Sequence, residues 1–313
     1  MKTLLLGLLC LLLGLPAATD AEIVYTSSPI VDSEKSLVDY PAFAARAELG
    51  ALVTGLAEGL VPQGLTYLAE SDSFLFAGYR TDGGTSALIE IAREDGRILR
   101  QVELRNMDGS VYTGHAGGVC ATETGVYISN NHRLYYLSMA TYQGLPERAD
   151  CRFESEIPVP VNASFCSASD GVLWVGEFQY GDGYPTDESH RFQTDAGLYR
   201  AWLYGYRLTD GAPGDAPDYI LSIPEKIQGA VVSGGVVWLS QSYGRKNSST
   251  LIRYAWSPDE ASDAEVTVAD QEAPLWALGF SRQKERLISP PMTENLCLAG
   301  EKMYVAFEYA AQA

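Results

Sequence analysis

One pattern recurs along this chain and restricts its fold more than any other feature: a polar residue, a short apolar run, a turn, and a second apolar run rich in Val, Tyr, Phe or Trp. The copies read "PQGLTYLAESDSFLFAGYR" (62–80), "GHAGGVCATETGVYISNN" (114–131), "PVNASFCSASDGVLWVGEF" (160–178), "IQGAVVSGGVVWLSQSYGR" (227–245) and "TENLCLAGEKMYVAFEYAA" (293–311). Their polar starters are Gln63, His115, Asn162, Gln228 and Glu294, spaced 52, 47, 66 and 66 residues apart. Paired apolar runs around Gly, Asp, Ser or Glu turns mark antiparallel hairpins. A third run follows most copies, as in "SALIEI" (86–91) and "STLIRYAW" (249–256), and a fourth follows some, as in "ILRQVEL" (98–104), "RFESEIPV" (152–159) and "YILSIP" (219–224).

Four short antiparallel strands per repeat describe the blades of a β-propeller. A β-sandwich would account for the strands but not for the recurrence. The sequence therefore reads as all-β, a single β-propeller over residues 22–313 with five blades; six is the alternative, with "PLWALGF" (274–280) belonging to a degenerate unit. The last copy runs out after two strands. Residues 22–60, which hold "EIVYTS" and "AELGALVTGL", are expected to supply its outer strands and seal the ring.

Residues 1–21 carry Lys2, an apolar stretch from Leu4 to Leu15 and small residues after it. That stretch is too short to span a bilayer and has the shape of a secretory signal peptide. The expectation is a secreted, extracellular or periplasmic, monomeric protein without a membrane span. Cys120, Cys151, Cys166 and Cys297 remain after the signal, enough for two disulfides in three connectivities or for buried thiols. A net charge of -18 repels nucleic acid and suits cations, cationic partners or plain solubility.

The repeats resemble those of secreted bacterial β-propeller proteins, loosely similar to the senescence-marker/gluconolactonase and strictosidine-synthase-like propellers. The resemblance covers nearly all of the mature chain and concerns architecture. In lactonases of that kind the first inner strand carries a metal-binding glutamate in a Glu-Gly-Pro setting; the matching stretch here is "PQGL", with Gln63 in that place.

In a propeller the five starters should ring one mouth of the central channel, with the ends of the second strands just outside them. That places Gln63, Asn162 and Gln228 beside Arg80, Asn131, Glu177, Arg245 and Glu308 as ligand-binding candidates, and His115 with Glu294 as an acid–base pair. Glu177, Glu294 and Glu308 offer oxygen ligands to calcium, the expected cofactor. Arg80 and Arg245 present planar forks to an anion. The insert "QYGDGYPTDESHRFQTDAG" (179–197) should overhang this mouth as a solvated, mobile loop. The first functional reading is binding of a small or polymeric extracellular ligand, carbohydrate-like among the candidates, at the channel mouth. The alternative is a hydrolase acting on a lactone, ester or phosphoester.

Overall fold

The computed structural model describes residues 25–26 and 39–308. The expected signal peptide and most of "EIVYTS" lie outside the described residues. What is described is an all-β propeller arrangement built from the predicted hairpins.

The first sheet takes its strands in chain order, Leu60–Leu68, Ser73–Arg80, Ala87–Ala92 and Ile98–Arg105. The second uses Gly118–Ala121, Gly125–Asn130, Arg133–Ser138 and Ser155–Pro158. Phe165–Ser169, Val172–Gly176, Ala201–Arg207 and Tyr219–Ile223 make the third, and Ile227–Ser233, Val236–Gln241, Ser249–Ala255 and Gln283–Ser289 the fourth. A final pair, Thr293–Ala299 with Lys302–Phe307, stands as a two-stranded sheet. The glycine pair of the fourth repeat is the turn between its first two strands: Ser233 pairs with Val236, and Gly234 and Gly235 take φ of 57° and 78°. Positive φ at both central residues belongs to the type I′ hairpin turn, whose twist matches that of the flanking strands.

Hydrophobic burial joins the sheets face to face. One core lies between the first and second sheets around Leu75, Leu88, Val119 and Ile128, and another between the second and third around Tyr127, Cys166 and Tyr204. A third, rich in tryptophan, packs Trp174 of the third sheet against Ile252 and Trp256 beside the fourth. Val231 and Leu251 meet Leu296 between the fourth and the last, and Leu60 and Phe76 meet Cys297 and Ala306 between the first and the last. Packing thus returns to its starting sheet, although among the described residues no strand pairing by hydrogen bonds closes the ring.

Inner strands approach each other too closely for side chains at three glycines. A Cβ on Gly118 would strike the backbone of Phe165 and Cys166, one on Gly64 the backbone of Gly118 and Val119, and one on Gly229 would lie 2.6 Å from Asn295 Cα. Backbone cannot give way as a flexible side chain can. Gly118→Ala is expected to lower stability by about 1–3 kcal/mol, measured as a lower urea midpoint with unchanged slope.

Several sequence expectations are redistributed. "RFESEIPV" is split: Arg148–Arg152 extends the first sheet in parallel to Ile98–Arg105, and only Ser155–Pro158 completes the second. "PLWALGF" does not begin a unit of its own, because Gln271–Ala277 pairs in parallel with Tyr219–Ile223 of the third sheet and antiparallel with Ala264–Val268, which forms that sheet's edge. Residues 47–56 do run along the last sheet, with Glu48 bonded to Lys302 Nζ at 2.8 Å and Ala51 and Val53 packed on the core shared with the first sheet. They form no named strand there. A short helix, Pro41–Ala44, sets Phe43 against Phe307 with ring centroids 6.1 Å apart, and the backbone of Tyr25 is held from both sides by the amide of Gln101. Cys120, Cys151, Cys166 and Cys297 are free, buried thiols.

Candidate functional site

Three of the five starters, Gln63, Gln228 and Glu294, share a backbone device. In the first and fourth sheets the strand register shifts between Pro62 and Gly64 and between Ile227 and Gly229, and in the last between Thr293 and Leu296. The residues passed over are Gln63, Gln228, and Glu294 with Asn295. A β-bulge re-aims the extra side chain out of the pleat, so these polar groups turn away from the inter-sheet cores. His115 and Asn162 sit ahead of their strands, which begin at Gly118 and Phe165.

Four residues from the first two repeats make one assembly. Gln63 Nε2 donates to the Pro62 carbonyl at 3.1 Å, which fixes its amide and leaves Oε1 facing His115 Nε2 at 2.7 Å. An acceptor opposite Nε2 puts the imidazole proton there and leaves Nδ1 as a base. The imidazole lies against the Tyr79 ring, centroids 4.4 Å apart and planes 24° from parallel, and the His115 amide donates to Asn130 Oδ1 at 3.2 Å. His115 keeps surface open to solvent, yet partial loss of hydration among its neighbours pulls its pKa below the ordinary value. The ring is therefore neutral at pH 7.

Across the mouth stand two carboxyl groups. Glu294 is 2% exposed, and its Oε1 has no hydrogen-bond partner among the described residues. Burial first, and the neighbouring Glu308 second, raise its pKa well above the ordinary 4.5. Glu308 is also raised by burial, but Arg245, with Nη2 3.4 Å from its Oε1, works against that rise. The phenol of Tyr79 links the halves: desolvation lifts its pKa, the charges of Glu308 and Glu294 add to this, and Arg245 opposes it.

The remaining candidates are placed differently. Arg80 turns to Asp82, with Nε 3.0 Å from Oδ1, and that pairing pulls the Asp82 carboxyl down to about 2. Asn131 is exposed in a turn at φ 53°, and Asn130, one residue earlier, meets His115 instead. Asn162 and Gln228 are half-buried at the starts of their repeats. Glu177 is committed: Oε1 accepts from the Asn162 amide at 3.2 Å, and Oε2 accepts from His190 Nδ1 at 2.8 Å and from the Trp202 amide at 3.0 Å. His190 is itself 4% exposed and stacks on Trp202 at 4.1 Å. The insert expected to be a mobile solvated loop is therefore pinned by a buried pair. Calcium takes about 6–8 oxygen ligands; with Glu177 engaged, Glu294 and Glu308 are the carboxylates left from the expected set. No group of three or more His, Cys, Asp or Glu among the described residues is placed to hold a metal ion.

Sequence reasoning missed an aromatic group on the same rim, formed by Phe178, Tyr180, Tyr184 and Tyr243. Its signal was the placement of "FQYGDGY" and "SYGR" directly after the second strands of the third and fourth repeats. A separate cavity of about 80 Å³ lies at the opposite ends of the inner strands, lined by residues such as Thr66, Ser167, Val231 and Cys297. It holds none of the polar ring.

No protein-family model matches this sequence, and no curated protein matches it either. Among solved structures the chain is similar to a glutaminyl cyclase from Myxococcus xanthus at 10% identity and a TM-score of 0.43, covering 80% of this chain and 87% of that one. It is similar to the GH43_1 enzyme from Xanthomonas citri, complexed with xylose, at 12% identity and 0.41, covering 87% and 86%. A luciferin-regenerating enzyme gives 12% and 0.41, covering 79% of this chain and 69% of that one. Likeness at this level says nothing about the chemistry of the mouth.

Proposed function

We propose that this chain is an exported five-bladed propeller that binds a small polar ligand at the mouth formed by Gln63, Tyr79, His115, Arg245, Glu294 and Glu308. The observation that carries the reading is the Glu294 carboxyl, buried without a partner on Oε1 beside Glu308 of its own repeat and near enough to the Tyr79 phenol of the first repeat to act on its ionisation. A buried polar oxygen left unpaired costs about 1–3 kcal/mol; a ligand that pairs with it recovers that cost on binding. The test is calorimetry and melting of the full chain with cellobiose, choline, gluconate and calcium chloride as probes. At least one probe is expected to raise the melting temperature of wild type and not that of Glu294→Leu. Equal shifts in both proteins would place the binding elsewhere.

The hydrolase reading is favoured by one specific feature: the two neighbouring carboxyls have different surroundings, Glu294 with no countercharge and Glu308 with Arg245. Environments that push two carboxyls apart assign an acid and a base. Neutral Glu294 would give its proton to the leaving oxygen as the bond to it breaks, while His115 Nδ1 or ionised Glu308 takes a proton from the attacking water. In that case Glu294→Gln loses turnover of a p-nitrophenyl ester or glycoside by about 10²–10⁴-fold and keeps substrate binding. Unchanged turnover, or none in wild type, leaves the binding function alone.

A further inference from the structure

The mouth's charges are almost all satisfied within the protein. Arg245 faces Glu308, and Lys226 Nζ is 3.0 Å from Glu225 and 4.1 Å above the Tyr180 ring. His115 and Glu294 are both held towards their neutral forms. A chain with a net charge of -18 thus presents a mouth of nearly balanced charge. What it leaves open is aromatic. Tyr243 is central, 4.4 Å from Tyr180, 6.1 Å from Phe178 and 6.3 Å from Tyr184, and Phe178 is 5.0 Å from Tyr184. Phe178 is buried beneath them, whereas Tyr184 and Tyr243 remain 48% and 37% exposed.

The group belongs to the mouth and not to some other surface. Tyr243 lies two residues before Arg245, which reaches Glu308, and the Tyr184 phenol is near enough to Tyr79 to act on its ionisation. Exposed aromatic surface at the edge of a concave polar site marks a ligand-contacting surface. Tyrosine suits one kind of partner well, because it offers a flat apolar ring and a hydrogen-bonding tip at little entropic cost.

We propose that the Tyr184–Tyr243 rim packs against the apolar C–H face of a pyranose ring, making a neutral oligosaccharide the ligand class of the mouth. A sugar has C–H faces for the tyrosines and hydroxyl edges for Gln63, His115 and Glu294, and it needs no countercharge. The Arg245–Glu308 and Lys226–Glu225 pairs already match the charges at the rim, so a neutral ligand requires no rearrangement of either. The assignment rests on the mouth-binding reading above.

Titration calorimetry of the full chain with cellobiose and maltose tests it, with choline and gluconate as charged comparisons. Saturable binding of a disaccharide is expected, weakened about tenfold or more by Tyr243→Ala and nearly unchanged in Tyr243→Phe, which keeps the ring. Tyr184→Ala is the second variant, read alongside melting curves that report whether each protein is folded. Disaccharide affinity unchanged in both folded alanine variants overturns the rim assignment. Binding of choline or gluconate but neither disaccharide, lost in Glu294→Leu, overturns the saccharide class while the mouth still binds. Binding of none of the four overturns both.

Discussion

Glu177→Ala is expected to remove about 4–5 kcal/mol of unfolding free energy, and His190→Ala about 3 kcal/mol, both read from urea denaturation at neutral pH. The carboxylate of Glu177 accepts from three donors, the amides of Asn162 and Trp202 and the imidazole of His190. Truncating it strands all three donors in a place where Glu177 itself is only 2% exposed. Truncating His190 is less costly, because two backbone amides still face the carboxylate, but it also removes the ring stacked on Trp202. The insert should then detach from its anchor, and limited proteolysis within 179–197 should become fast in His190→Ala while the rest of the chain resists. Glu177→Gln/His190→Ala should recover part of the loss, since a neutral amide is less costly to leave half-paired than a charge. If both single variants lost less than about 1 kcal/mol, the pair would be a surface contact in all but burial, and the insert would be held by other means.

This pair also shows what the sequence made legible and what it could not. Repetition was readable because each repeat must bury two faces against its neighbours, which forces apolar runs such as Val231–Val232 and Val237–Leu239 to recur on either side of a turn. The polar starters were readable for the same reason: a polar residue at the head of a buried strand needs a place to go, and a bulge or a preceding turn provides it. Partnership across the chain is a different matter. Nothing in "TDESHRF" distinguishes a histidine that reaches a glutamate thirteen residues back from one in water, because the deciding surface, Trp202, arrives with a later strand. Added outer strands were misplaced on similar grounds. Arg148–Arg152 is mostly exposed and Gln271–Ala277 is buried mainly in its second half, and a burial pattern specifies a face but not which sheet a strand will join. Arg80 and Asn131 were placed at the mouth by strand position alone, yet Asp82 two residues on and a turn at φ 53° decide where those side chains lie.

Glu294 should make stability depend on pH in the direction opposite to an ordinary ion-paired carboxylate. Its pKa is raised in the folded chain by burial and by Glu308, so at pH values above the unfolded 4.5 the native state holds a proton that the unfolded state has released. Stability is then fully present below about pH 4.5 and falls as pH rises, by up to about 1.4 kcal/mol per pH unit per group until the raised pKa is passed. Glu308 shifts the same way and adds to the slope. Asp82, pulled down to about 2, acts in the other sense, but only in acid and equally in any Glu294 variant. Glu294→Gln keeps the shape and carries no ionisable group. Urea curves taken at rising pH from 5 should therefore diverge, the variant gaining on wild type by up to about 1.4 kcal/mol per pH unit until the raised pKa is passed; parallel curves would mean that Glu294 ionises normally in the fold. The same proton bears on binding, since only protonated Glu294 can donate to a ligand oxygen. Saccharide affinity should weaken over the pH range in which wild type loses its advantage, and the variant, whose amide donates at every pH, should lose that dependence.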